Sequence, residues 1–145
     1  MDDNEVVALF RQAIAHDDEV AMRQGIEHLL GLSDGGGLSP AQEYAVRHPD
    51  YVMEMPQSNE RIRGRDAMRA MQEAFPTPPR VRLRGVHGSG RTWVVEGVND
   101  YGGDVWHVVL ILKLDQDGLI LRDTRYYGLP ADPPDWRSAW VEPIE

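Results

Sequence analysis

The sequence predicts an α+β domain with helices in its first half and an antiparallel sheet packed on them in its second half. Three observations carry this. Apolar residues recur at helical spacing up to about residue 75, and from residue 80 they alternate instead, in runs broken by short turn signals. Short turns force consecutive strands to be antiparallel. The run at residues 105–114 is apolar on both sides, so the sheet must close over helices on one face and be covered on the other. The 145 residues suit a single domain, with residues 1–127 as its core and 128–145 as a C-terminal tail.

Val6, Leu9, Phe10, Ala13 and Ile14 mark an amphipathic helix over residues 3–15, and Met22, Ile26, Leu29 and Leu30 resume the period after Asp17-Asp18, although Gly25 weakens it. Asp34-Gly35-Gly36-Gly37 ends this helical region in a loop. Ser39-Pro40-Ala41-Gln42 supplies a capping hydroxyl, a first-turn proline and a glutamine, predicting a short helix to about Arg47 that stops before Pro49. Residues 51–56 read as a strand. Gly64-Arg65-Asp66 opens another helix, with Ala67, Met68, Met71, Ala74 and Phe75 on its buried side, and Pro76, Pro78 and Pro79 terminate it. Strands then follow at 80–86, 92–99, 105–114 and 119–127, joined by turns at His87-Gly88-Ser89-Gly90, Gly102-Gly103 and Asp115-Gln116-Asp117-Gly118.

The outer sheet face, carrying Val109 and Ile111, needs cover. A second copy of the chain is the favoured cover, giving a homodimer. The alternative is the C-terminal segment, where one helical turn would put Trp136 and Trp140 on one side.

Composition excludes several classes. A net charge of -9 repels phosphate backbones and anionic membrane surfaces, so neither nucleic acid nor membrane is an expected partner. The nearest basic candidate is Arg61-Ile62-Arg63-Gly64-Arg65, and the alternation of Arg80, Arg82 and Arg84 suits a solvated strand face. The chain has no cysteine, hence neither disulfides nor thiolate metal sites. Its histidines, His16, His28, His48, His87 and His107, form no pair on one element, and no metal site is expected. The Asp115-Gln116-Asp117-Gly118 turn lacks the continuation of a calcium loop, and Gly88-Ser89-Gly90 is too short for a phosphate loop. No apolar run approaches the ~20 residues of a membrane span, and MDDNEVVALF lacks the basic-then-apolar order of a secretory signal, so a cytoplasmic protein is expected.

Tyr51-Val52-Met53-Glu54-Met55-Pro56, Gly64-Arg65-Asp66-Ala67-Met68, Asp117-Gly118-Leu119-Ile120 and Arg125-Tyr126-Tyr127, in that order, resemble the recurring segments of the SnoaL-like, nuclear transport factor two-like superfamily. The resemblance spans nearly all of the chain up to Tyr127. It implies a cystatin-like α+β roll, in which a curved sheet wraps around helices to form a cone-shaped pocket. That superfamily includes ketosteroid isomerases, polyketide cyclases, limonene epoxide hydrolases, scytalone dehydratases and modules without catalysis, so the fold alone names no reaction.

The resemblance also fixes strand phase, since side chains two apart share a face. It places Leu121, Asp123, Arg125 and Tyr127 inward on the last strand, Trp106, Val108, Leu110 and Leu112 on the one before, Trp93, Val95, Gly97 and Asn99 on the one before that, and Val52, Glu54 and Pro56 on the first. The expected ligand wall comprises Val52, Trp93, Val95, Asn99, Trp106, Val108, Leu110 and Tyr127. Glu54 and Asp123 are the candidate proton-transfer groups, because a carboxylate facing an apolar cavity is pushed toward its neutral form, and Arg125 would orient one of them or stabilise an oxyanion. A plain structural ion pair of Arg125 with Glu54 or Asp123 is the competing reading. The matching positions depart from known catalytic sets. Those of the epoxide hydrolase triad hold Gly97, Asn99 and Arg125, that of the isomerase aspartate holds Met55, and only His107, predicted outward, is near the cyclase histidine. The expected ligand is a small hydrophobic or carbonyl-bearing molecule handled without a cofactor, by a lyase, isomerase or cyclase or by a binding or assembly module.

Overall fold

In the computed structural model, which describes residues 1–33, 37–75 and 77–145, two capped helices begin the chain. Asp2 accepts from the Glu5 N–H at the start of α1 (Asp3–His16), and Asp18 accepts from the Ala21 N–H at the start of α2 (Glu19–Leu29). Asp17 lies between them in the left-handed conformation, which breaks the chain direction. Val6, Phe10 and Ala13 of α1 and Met22, Ile26 and Leu29 of α2 enter one core. Gly25, the weak point of the sequence pattern, has a packing reason: a Cβ there would lie 2.5 Å from Cε1 of Phe10. Asp34, Gly35 and Gly36 of the expected loop, and Pro76 of the expected helix stop, lie outside the described residues.

Ser39 caps the expected helix, its Oγ accepting from the Gln42 N–H at the start of α3 (Pro40–Val46). The chain then passes directly into β1 (Arg47–Met55), four residues earlier than the sequence suggests. Pro49 therefore sits inside a strand. The pairing with the last strand is irregular between Arg47 and Val52, which spares the proline a ladder hydrogen bond it cannot donate. The arginine-rich stretch contributes β2 (Glu60–Arg63), a short charged edge strand antiparallel to β1 with Met53 opposite Ile62. In α4 (Arg65–Ala74) only Met68 is fully buried; Ala67 and Ala74 face solvent, and Met71 and Phe75 are partly exposed, a narrower buried side than the sequence predicts.

The remaining strands are β3 (Arg80–Ser89), β4 (Thr92–Asp100), β5 (Val105–Leu114) and β6 (Ile120–Gly128), and the six-stranded sheet has the order β2-β1-β6-β5-β4-β3. The hairpins from β3 to β6 are antiparallel as predicted. β1 runs parallel to β6, so the sheet is mixed rather than antiparallel; no short turn joins these two strands to fix their direction. Asp100 accepts from the Gly103 N–H and Asp115 from the Asp117 and Leu119 N–H groups, setting the last two turns.

Two irregularities shape the inner face. Register slips between Leu83 and Gly85 on β3, and between Lys113 and Leu114 where β5 meets β6. At the second slip Lys113 pairs with Arg122 and Leu114 with Ile120, leaving Leu121 as the extra residue. Ile120 is consequently inward and buried, and Leu121 is not, reversing the expectation for these two positions. The tail forms one 3-10 turn, Asp135–Arg137, and leaves Trp136 and Trp140 75% and 81% exposed. Among the described residues no helix is long and apolar enough to cross a membrane.

Candidate functional site

The inner face of the sheet and helices α2, α3 and α4 enclose a cavity of about 380 Å³. Its walls are mostly apolar, with Met53 and Met55 from β1, Val95 from β4, Val108 and Leu110 from β5, and Ile120 from β6.

Its polar floor is built by strand alternation on β6, which directs Asp123 and Arg125 to the same side. Arg125 donates from Nε and Nη2 to Asp123 Oδ2, at 2.8 and 2.7 Å. Tyr51, fully buried on β1, donates its hydroxyl to the same oxygen at 3.0 Å. Three donors thus converge on Oδ2, while Oδ1 is buried with no hydrogen-bond partner among the described residues. Burial, with the Asp123 charge next, raises the Tyr51 phenol above its usual range, so it stays a protonated donor. Burial works against the charge of Arg125, but the adjacent Asp123 carboxylate together with Tyr51 and Tyr127 outweighs it and holds the guanidinium charged well above its ordinary range.

A second polar group lines the helical side. Arg47, at the first position of β1, donates to Gln72 Oε1 at 3.0 Å and to Glu43 Oε1 at 3.4 Å, and Gln72 Nε2 donates to Glu43 Oε2 at 3.1 Å. The Arg47 guanidinium lies 4.8 Å from the centre of the Tyr51 ring, linking this group to the floor. Burial raises the Glu43 carboxyl above the ordinary glutamate range, against the lowering effect of Arg47 and Arg125.

Among the residues singled out by sequence, Asp123, Arg125, Val95, Asn99, Val108, Leu110 and Tyr127 line this cavity. Four others require correction. Glu54 and Val52 are on the outer side of β1, because Tyr51, Met53 and Met55 hold the inner phase; Glu54 pairs with Arg122 at 3.1 Å and Arg61 at 3.6 Å. Trp93 is on the inner face but wholly buried beyond the cavity, its indole N–H donating to the Gly90 carbonyl. Trp106 lies beyond the cavity mouth, edge-to-face with Tyr127 at 6.4 Å, in a neighbouring depression. His107 is exposed on the outer face, as expected.

Sequence reasoning missed Tyr51, Glu43, Arg47 and Gln72. A signal for Tyr51 was present, since Tyr51, Met53 and Met55 form a more apolar alternating set than Val52, Glu54 and Pro56. The other three resemble the solvated side of short helices, and only the packing of α3 on α4 brings them together. Among the described residues no group of three His, Asp or Glu side chains could hold a metal ion.

Comparison with known proteins places this architecture. The SnoaL-like domain profile matches residues 41–122, more than half of the chain, and the chain belongs to that family. An NTF-2 like protein of unknown function from Burkholderia xenovorans LB400 has a similar structure, with TM-score 0.74 and 29% identity over 85% of this chain and 94% of that one. A candidate ketosteroid isomerase from Kribbella flavida DSM 17836 gives TM-score 0.70 and 22% identity over 97% and 90% of the two chains. An LEH-like epoxide hydrolase from M. tuberculosis gives 0.56 and 16% over 86% and 83%. For the last two, identities this low make the likeness one of fold. No curated protein matches the sequence.

Proposed function

We propose that this chain binds a small hydrophobic, carbonyl-bearing molecule in the cone-shaped cavity and performs cofactor-independent acid–base chemistry on it, as an isomerase, cyclase or dehydratase would. The observation that carries this reading is the asymmetry of Asp123. One oxygen is fixed by Arg125 and Tyr51 and the other is buried without a partner, in a mostly apolar chamber. Such an oxygen suits proton abstraction from a carbon next to a carbonyl. The C–H bond would break toward Oδ1, its electron pair forming an enolate whose oxygen is met by the remaining N–H donors of Arg125, and the proton would return to another carbon. No external oxidant or reductant is needed.

The test uses 2-tetralone in deuterated buffer, with exchange of its α-protons followed by NMR. The wild-type chain should accelerate exchange, and Asp123→Asn should lower the acceleration by about 100-fold or more. Equal rates for the two proteins would refute the acid–base assignment. A second reading is a binding module without catalysis. It is favoured by the position of Arg125, already engaged by Asp123, and by the departures at all the matching catalytic positions. It predicts that 2-tetralone binds without accelerated exchange and that Arg125→Met removes the binding.

We also propose that two copies pair through the outer sheet face, where Val94, Val109 and Ile111 are only half-buried and Tyr126 is exposed. The exposed Trp136 and Trp140 argue against the tail as cover for that face. Sedimentation should show a dimer for the wild type and a monomer for Ile111→Glu; a wild-type monomer would reject the pairing.

A further inference from the structure

Beyond the mouth of the main cavity lies a second depression of about 400 Å³, lined by Met55, Gln57, Ser58, Phe75, Tyr101, Asp104, Trp106 and Tyr127. It shares Met55, Phe75, Tyr101 and Tyr127 with the main cavity, so the two adjoin, with this depression forming an outer vestibule beside the cavity that holds Asp123. Four of its lining side chains are aromatic, arranged as two edge-to-face pairs. Phe75 and Tyr101 have ring centres 5.7 Å apart, and Trp106 and Tyr127 6.4 Å apart. No Arg, Lys or His lines it, and its one charged residue, Asp104, is in no ion pair among the described residues.

Aromatic faces carry negative quadrupole potential and attract soft, weakly hydrated cations. A carboxylate at the lip adds to that attraction, as does the chain's net charge of -9. The guanidinium in the main cavity, Arg125, is paired with Asp123, which offsets its repulsion of a cation in the adjoining depression. Apart from Asp104 and the phenol and indole groups of its rings, the lining offers an ordinary hydrated amine or a sugar only Gln57, which already accepts from the Tyr127 backbone N–H, and Ser58, which donates to the Met55 carbonyl.

We propose that this vestibule binds an alkylated ammonium group at the far end of an elongated ligand whose apolar, carbonyl-bearing part occupies the inner cavity. The inner half of this assignment rests on the function proposed above; the vestibule half stands on the aromatic and acidic lining alone. Leu110, opposite Arg125, and Trp106 are four residues apart on β5, so the two ends of such a ligand would be separated by about 13 Å.

Two measurements separate the halves. First, tetramethylammonium is titrated into isotopically labelled protein while the Trp106 indole N–H resonance is followed, with tert-butyl alcohol as the neutral control of similar size. A saturable shift is expected for the cation alone, lost in Trp106→Leu and weakened several-fold in Asp104→Asn. No saturable shift, or the same response to the alcohol, would overturn the proposal whether or not the inner cavity is catalytic. Second, 2-acetonaphthone is compared with two 6-substituted derivatives, one bearing a 3-(trimethylammonio)propoxy chain and one its uncharged 4,4-dimethylpentyloxy counterpart. The charged derivative should bind about tenfold tighter than the uncharged one, and Trp106→Leu should abolish that preference without weakening 2-acetonaphthone itself. Equal affinities of the two derivatives would reject the vestibule's cation preference, whereas tetramethylammonium binding with no affinity for 2-acetonaphthone would reject the inner-cavity reading and leave the vestibule standing.

Discussion

Two carboxylate–arginine clusters occupy opposite faces of the neighbouring strands β1 and β6. On the inner face Asp123 and Arg125 meet at 2.7 Å with side chains only 3% and 16% exposed. On the outer face Glu54 meets Arg122 at 3.1 Å, with side chains 23% and 50% exposed. The groups are chemically alike, and one residue of strand phase decides which set is buried. Water and salt screen the outer cluster, so its members can be exchanged at small cost. The inner one has no such protection, because each buried charge depends on the other. The lesson is that residue type nominates a site and burial selects it.

The comparison is most directly broken at Asp123. Asp123→Ala leaves Arg125 without its counter-ion and Tyr51 without an acceptor, and should destabilise the fold by about 3–5 kcal/mol in urea unfolding. A loss below about 1 kcal/mol would place the inner cluster in the same class as the outer one. Tyr51→Phe should cost less, about 1 kcal/mol, since one hydrogen bond is lost while Arg125 remains in place.

Titration of Glu43 sharpens the contrast on the helical wall. Its carboxyl is raised in the folded state, chiefly by burial, so the folded chain holds that proton more tightly than the unfolded one. Its contribution to stability therefore declines as pH rises from the unfolded glutamate value of about 4.3 through the raised folded value, and is constant above that. Glu43→Gln should flatten this part of the stability profile in melts taken from acid to neutral pH; an unchanged profile would show that Glu43 is effectively solvated. The smallest change is expected at the outer cluster, where Glu54→Gln should cost less than about 1 kcal/mol, and less again at high salt.

Strand phase came from the family resemblance, and apart from Leu121 it held where a hairpin turn ties one strand to the next. The turns after β3, β4 and β5 lock those strands in register, and Val95, Asn99, Val108, Leu110, Asp123, Arg125 and Tyr127 all reached the cavity wall as read. β1 has no such tie to its parallel neighbour, and the irregularity around Pro49 hides its phase, so Val52 and Glu54 were assigned the side that Tyr51 and Met53 occupy. Leu121 was misplaced because a bulge shifts alternation by one without any glycine or proline to announce it. The Glu43–Arg47–Gln72 group was illegible for a different reason. It exists only through contact between α3, β1 and α4, and local pattern carries no information about which polar side chains meet across elements.

Gly97 faces the cavity where β3 slips register, and a Cβ there would lie 2.8 Å from the Arg82 carbonyl oxygen. A glycine and a bulge together permit the close strand approach and bend that vault the sheet over the cavity. The vault is thus written in the backbone, and the side chains only furnish it. Val95, Val108 and Leu110 line that room, and their side chains set its size and polarity. The contents of the room can then change one furnishing at a time, whereas a side chain at Gly97 would bring down the ceiling.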